Sequence, residues 1–119
     1  MSEPAKPVGP YTPVVRAGDW LVVSGQVGLH DGRIVSGGVS AETTQAMRNL
    51  EGQLATQGAR LDQVVKTTVF LRHMSDYSRM NEAYTATLGG NRPARSAIGV
   101  AELPLGALVE VEAWAWVGG

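Results

Sequence analysis

The stretch Asn91–Val117, NRPARSAIGVAELPLGALVEVEAWAWV, decides how this chain is read. It resolves into two apolar runs joined by a Pro-Gly turn and predicts a terminal β-hairpin. Arg95 sits at the start of the first run, and Glu110 and Glu112 sit within the second. A strand that needs only burial carries Val or Ile at such positions. A guanidinium and two carboxylates in apolar strands are costly unless they are paired or used. Period-two alternation puts Glu110, Glu112, Trp114 and Trp116 on one face of the last strand. Val109, Val111, Ala113, Ala115 and Val117 share the other. The small apolar set suits packing beneath helices, and the charged and aromatic set suits a subunit interface or a cleft wall. The residues alone leave two readings open. A glutamate pairs with Arg95 or Arg72 as an interface salt bridge, or Arg95 grips an anion in a bidentate fork near a working carboxylate.

Upstream, Met1 to Pro13 holds four of the six prolines and reads as an extended arm that carries Gly9-Pro10-Tyr11. Val14-Val15, a turn at Ala17-Gly18-Asp19 and a strand at Trp20–Val27 predict an opening hairpin. Ser24-Gly25 interrupts that strand, as a bulge or as a close backbone approach. His30-Asp31-Gly32 is a turn, followed by a short strand at Arg33 to Val35. Ser40 is the expected N-cap of a helix with Glu42 in its first turn. Its apolar stripe is Thr43, Met47, Leu50 and Leu54, with a stop at Gly58. Gly52 within it is expected on the outer face or at a close crossing with the sheet. Val64–Leu71 is the clearest strand. Ser75 or Asp76 starts a second helix with the stripe Tyr77, Met80, Tyr84 and Leu88, ended by Gly89-Gly90-Asn91.

The order ββ(β)αβαββ, with only two amphipathic helices, predicts an α+β two-layer sandwich whose sheet is covered on one face. Both alternate positions of Trp20–Val23 and Val64–Leu71 are largely apolar. The second face is therefore expected against another copy of the chain.

Composition narrows the function. The chain of 119 residues reads as a single domain, 1–119, with no repeat or linker. Its net charge of -1, with no basic stripe, speaks against nucleic acid as a partner. It has no cysteine, so disulfides, thiolate nucleophiles and Cys-based metal sites are excluded. His30 and His73 are too few and too far apart for a His-rich metal site, and His73 reads as a surface residue. Ser24, Ser75, Ser78 and Ser96 sit in no nucleophile elbow, and there is no Gly-rich phosphate loop. No apolar run is long enough to span a bilayer, so a cytoplasmic protein without membrane contact is expected.

Six short motifs in order resemble the RidA/YjgF family of reactive-intermediate deaminases, whose older names include L-PSP endoribonucleases. They are GPY at 9–11, VVSGQV at 22–27, VVKTTVFL at 64–71, MNEAY at 80–84, RPARSAIGVAELP at 92–104 and VEVEAWA at 109–115. The resemblance runs from Gly9 to Val117. It implies a chorismate-mutase-like fold with a mixed sheet. It also implies a homotrimer with a site in each cleft between subunits. The implied reaction is hydrolysis of 2-imino acids, tautomers of enamines such as 2-aminoacrylate, to 2-keto acids and ammonia, with no metal or organic cofactor.

Residue by residue, the resemblance makes Glu110, not Glu112, the catalytic carboxylate. It makes Arg95 the clamp on the substrate carboxylate, assisted by the main-chain N–H near Ala97. Tyr11 would close the cleft, and Asn81 would support the site. Ala97 stands where many relatives carry a cysteine, Arg92 stands where an aromatic is common, and the loop before the PARS motif is short. Two other functions are weighed: a non-catalytic or chaperone-like trimer that binds a carboxylate metabolite, and an endoribonuclease. The second is disfavoured by the net charge and by the lack of a His pair or an aromatic-plus-basic strip.

Overall fold

The computed structural model describes Pro7 and residues 9–119. Two hairpins open the chain: β1 (Val14–Ala17) with β2 (Trp20–Val27), and β3 (Leu29–His30) with β4 (Arg33–Ile34). The second turns on Asp31 and Gly32, both at positive φ (51° and 78°), the conformation in which Asp-Gly closes a tight hairpin. Helix α1 (Gly38–Ala55), β5 (Val64–Leu71), α2 (Tyr77–Leu88), β6 (Ala94–Gly99) and β7 (Val109–Trp116) follow.

The five-stranded sheet has the order β1-β2-β7-β5-β6. It is mixed: β6 runs parallel to β5, and β7 runs antiparallel to both β2 and β5. The expected terminal hairpin is therefore corrected. β6 and β7 do not pair. β6 returns through α2 to the far edge, as a parallel crossover requires, while β7 inserts at the centre between β2 and β5. Alternation along β7 predicts its two faces but says nothing of its neighbours.

Both helices cover one face. Leu21 and Val23 of β2, Val111, Ala113 and Ala115 of β7, and Val69 and Leu71 of β5 are buried there, against Met47, Leu50 and Leu54 of α1 and Met80 and Tyr84 of α2. Ala113 and Ala115 keep the centre of the sheet low beneath α1. A buried hydroxyl pair, Thr67 Oγ1 and Tyr84 Oη at 2.6 Å, ties α2 to β5. The opposite face exposes Trp114 and Trp116, which meet Trp20 edge-on at centroid distances of 5.9 and 5.1 Å.

Helix α1 departs from its expected start. Gly37, at φ 115°, and Gly38, at φ 76°, form its entry, and Ser40 lies inside the helix without capping it. That shift turns Glu42 inward, where it is buried and its Oε1 accepts the Leu108 N–H at 2.8 Å. The helix ends at Ala55, before Gly58. Gly58 still adopts the left-handed conformation (φ 71°), in the turn where the Ala59 N–H bonds to Leu54 O. Gly52 has open space around it, as expected of an outer-face position.

Burial holds the Glu42 carboxyl above its usual pKa. The Leu108 N–H opposes that shift and the Asp76 charge adds to it. A glutamate whose pKa is raised by folding contributes stability that is complete below its unfolded value. That stability is lost as pH rises through the folded value. Glu42→Gln keeps an acceptor for Leu108 without the charge. Thermal melts are expected to show the variant a few degrees more stable than the parent at pH 8, with the gap closing as pH falls to about 4. A variant less stable at pH 8 would contradict this.

Candidate functional site

The residues singled out in the sequence form two groups on opposite faces of the sheet. Arg95 is the second residue of the edge strand β6. It lies beside Thr67 in register, and so on the helix-covered face. Tyr77, Asn81 and Tyr84 of α2, spaced i, i+4 and i+7, form one line on the helix that faces it. Arg95 Nη1 donates to Asn81 Oδ1 at 2.8 Å, and Nη2 donates to Tyr77 Oη at 2.9 Å. The guanidinium carbon lies 4.9 Å from the centre of the Tyr84 ring and 5.4 Å from that of Tyr77.

Every one of these partners is neutral. Among the described residues no carboxylate pairs with Arg95. The half-buried cation is thus held in place without being neutralised, an arrangement suited to an external anion. The Val100 N–H donates to Leu71 O at 2.9 Å. By the two-residue period of a parallel ladder, the N–H groups of Arg95, Ala97 and Gly99 then point away from β5, along the open edge. Ala97 itself packs partly into the core.

Glu110 occupies the other face, between Val27 and Phe70 in register. A β-bulge in β2 between Val23 and Gln26 brings Gly25 beneath it. A Cβ on Gly25 would lie 2.6 Å from Glu110 Cδ, so a larger residue there would shift the end of the Glu110 side chain from its place. Both sequence readings of Gly25, bulge and close approach, therefore hold. The bulge also anchors the N-terminal arm: the Ser24 N–H donates to Pro13 O at 2.9 Å and Ser24 Oγ to Thr12 O at 2.7 Å. Tyr11 is thereby placed in the same pocket as Glu110, together with Gln26, Asn49 and Gln53. Half-burial raises the Glu110 pKa, and the charge of Glu112 two residues on adds to the effect.

Neither Glu110 nor Glu112 forms an ion pair with Arg95 or Arg72 among the described residues, so the salt-bridge reading has no counterpart within one chain. Arg92 folds back on the end of α2 and donates to Gly89 O at 2.7 Å and Asn91 O at 2.8 Å. His73 is exposed. No group of three His, Cys, Asp or Glu side chains among the described residues could hold a metal ion. Tyr77 is the neighbour of Arg95 that the periodicity misassigned. It is 39% exposed and serves Arg95, not the core stripe. The i, i+4, i+7 line of Tyr77, Asn81 and Tyr84 was the signal that could have revealed it.

A model of the family described as Endoribonuclease L-PSP matches residues 1–117. The chain is 44% identical over 113 residues to the 2-iminobutanoate/2-iminopropanoate deaminase of Mus musculus, covering 93% of this chain and 84% of that protein. Among solved structures it resembles a putative endoribonuclease of Thermotoga maritima, with a TM-score of 0.92 and 38% identity over 98% of this chain and 94% of the other. It also resembles RidA of the Antarctic bacterium Psychrobacter sp. PAMC 21119, with a TM-score of 0.90 and 34% identity over 97% of this chain and 94% of the other. The mixed sheet with two helices on one face is the fold of these neighbours.

The Glu110 environment is open to direct measurement. Carboxyl-carbon NMR titration is expected to find Glu110 above the ordinary glutamate range. Glu112→Gln should lower it only in part, because desolvation is the larger cause. A Glu110 that titrates at or below the ordinary value would refute this electrostatic picture.

Proposed function

The chain belongs to the endoribonuclease L-PSP family, also called RidA/YjgF, and from that membership we propose that it hydrolyses 2-imino acids and their enamine tautomers to 2-keto acids and ammonia. The observation that carries the proposal is the guanidinium of Arg95, fixed by neutral partners and left free to meet an anion. A 2-imino acid carries its carboxylate one bond from the reacting carbon. Clamping that carboxylate therefore positions the imine for attack. The deaminase name carried by the mouse relative agrees with this chemistry.

In the proposed mechanism Arg95 binds the carboxylate, and the outward N–H of Ala97 supplies a further donor. Glu110 takes a proton from a water that attacks C2 of the protonated imine, giving a carbinolamine. The same carboxyl hands that proton to nitrogen. As the C–N bond breaks, the regenerated carboxylate takes the proton of the C2 hydroxyl, leaving the keto acid and ammonia, which carries that last proton away as ammonium. The raised pKa of Glu110 brings it closer to neutrality, where a general base and its conjugate acid both serve. Tyr11 closes the cleft, and Asn81 holds Arg95 in place.

Arg95 and Glu110 lie on opposite faces of one sheet, so a complete site needs a second copy. We assign a homotrimer in which the β6 edge of one subunit meets the Tyr11–Glu110 pocket of the next. The exposed Trp114 and Trp116 and the apolar Val22, Phe70 and Ile98 of the uncovered face support such packing. No helix among the described residues is long and apolar enough to cross a membrane, and the cytoplasm is the proposed compartment. A small-molecule substrate, without nucleic acid, is the proposed partner.

With 2-iminobutyrate generated in situ, Arg95→Ala is expected to lower kcat/KM for ammonia release by about 100-fold or more, the loss of a charge-assisted clamp. Glu110→Gln should lower kcat by about 10²–10⁴-fold while 2-oxobutyrate still binds. Gly25→Ala should fold normally and lose turnover, because its methyl displaces the Glu110 carboxyl. Ammonia release by Arg95→Ala at the parent rate would overturn the proposal. Keto-acid binding by the parent without any turnover would instead select a binding role.

A further inference from the structure

Arg95 has five N–H donors, and their directions differ. One N–H of Nη1 goes to Asn81 Oδ1, and Met80 Sδ lies 3.9 Å from the same nitrogen. One N–H of Nη2 goes to Tyr77 Oη. The Nε–H has no acceptor among the described residues. What remains is the Nε–H and the second Nη2–H. Nε and Nη2 share one edge of the guanidinium, the side-on edge at which a carboxylate is received through two parallel bonds.

Asn81 and Met80 leave that edge free to roll, since both sit at Nη1 and restrain a single corner of a planar group. Tyr77 supplies a second restraint at the other terminal nitrogen. Its ring also lies against the cation at 5.4 Å, opposite in role to the buried Tyr84, whose hydroxyl is already committed to Thr67. Tyr77 sits at the first residue of α2, four positions before Asn81, so both acceptors ride on one rigid helix. A phenylalanine there would supply the ring and not the acceptor.

We propose that Tyr77 is a positioning residue for Arg95: with Asn81 it fixes the roll of the guanidinium, so that the Nε–H and Nη2–H edge is what the substrate carboxylate meets. This rests on the reading of Arg95 as the carboxylate clamp. Tyr77 touches no reacting atom. Its effect reaches the reaction through the entropy of a preorganised fork, and so through substrate binding.

The test is Tyr77→Phe, measured in two ways. In protein labelled with ¹⁵N-arginine, the Arg95 side chain, identified by its absence in Arg95→Ala, is expected to show separate Nη signals in the parent. Those signals should merge in Tyr77→Phe as the guanidinium turns freely. In imine hydrolysis, KM should rise about 3–10-fold, the indirect loss of one hydrogen bond to a charged group, with kcat within about twofold of the parent. Unchanged signals, an unchanged KM, or a fall in kcat that matches the rise in KM would each overturn the proposal. Should the parent release no ammonia, the deaminase reading fails on its own. The NMR arm and the affinity for 2-oxobutyrate then decide the role of Tyr77 independently.

Discussion

The insertion of β7 between β2 and β5 is the constraint on which the rest depends. Central strands lose water on both sides of the ladder and are the hardest to replace. Val109, Val111, Ala113 and Ala115 of β7 are all fully buried on the helix side. The strict alternation that buries them obliges Glu110 and Glu112 to emerge on the other face. The same insertion pushes β6 to the edge, where Arg95 can reach α2 above and the open ladder beside it. One topological choice thus fixes the place of the carboxylate and of the guanidinium, and fixes them apart.

Each charge is tolerated by a different device. Arg95 lies at an edge, where partial solvation lowers the cost of an unpaired cation, and two aromatic faces and two neutral acceptors supply the rest. Among the described residues Glu110 is offered no cation. It sits over Gly25, half-buried and near Glu112, and its raised pKa is the consequence. A buried Arg–Glu pair would have satisfied both groups and left neither for a ligand. Keeping them on opposite faces prevents that within one chain, and the proposed trimer brings them together only across a cleft.

The elements were largely legible in the sequence, because β-branched runs and the stripes Met47, Leu50, Leu54 and Met80, Tyr84, Leu88 carry their own periods. Pairing was not. Alternation in β7 gives faces without neighbours, so the hairpin reading put β7 beside β6 when it lies two places away. The start of α1 was misjudged because Gly37 and Gly38 enter the helix through positive φ, with no side-chain cap to mark the boundary. Glu42, expected only as a first-turn carboxylate, is instead a buried acceptor for the Leu108 N–H. At the site, the anomaly of Arg95 and Glu110 in apolar strands was visible at once. The neutral partners of Arg95 were not, since Tyr77 shares the helical spacing of the core stripe and only the fold shows which side of α2 it takes.

The central claim is that the site is assembled from Arg95 of one subunit and Glu110 of another. Arg95→Ala and Glu110→Gln, each inactive alone, can be unfolded together, refolded as mixed trimers and assayed for ammonia release from 2-iminobutyrate. At equal amounts, random mixing leaves about a quarter of the clefts with both residues intact, and activity should return to about that fraction of the parent. Mixed trimers that form, as shown by native mass spectrometry, yet remain as inactive as the separate variants would contradict the account.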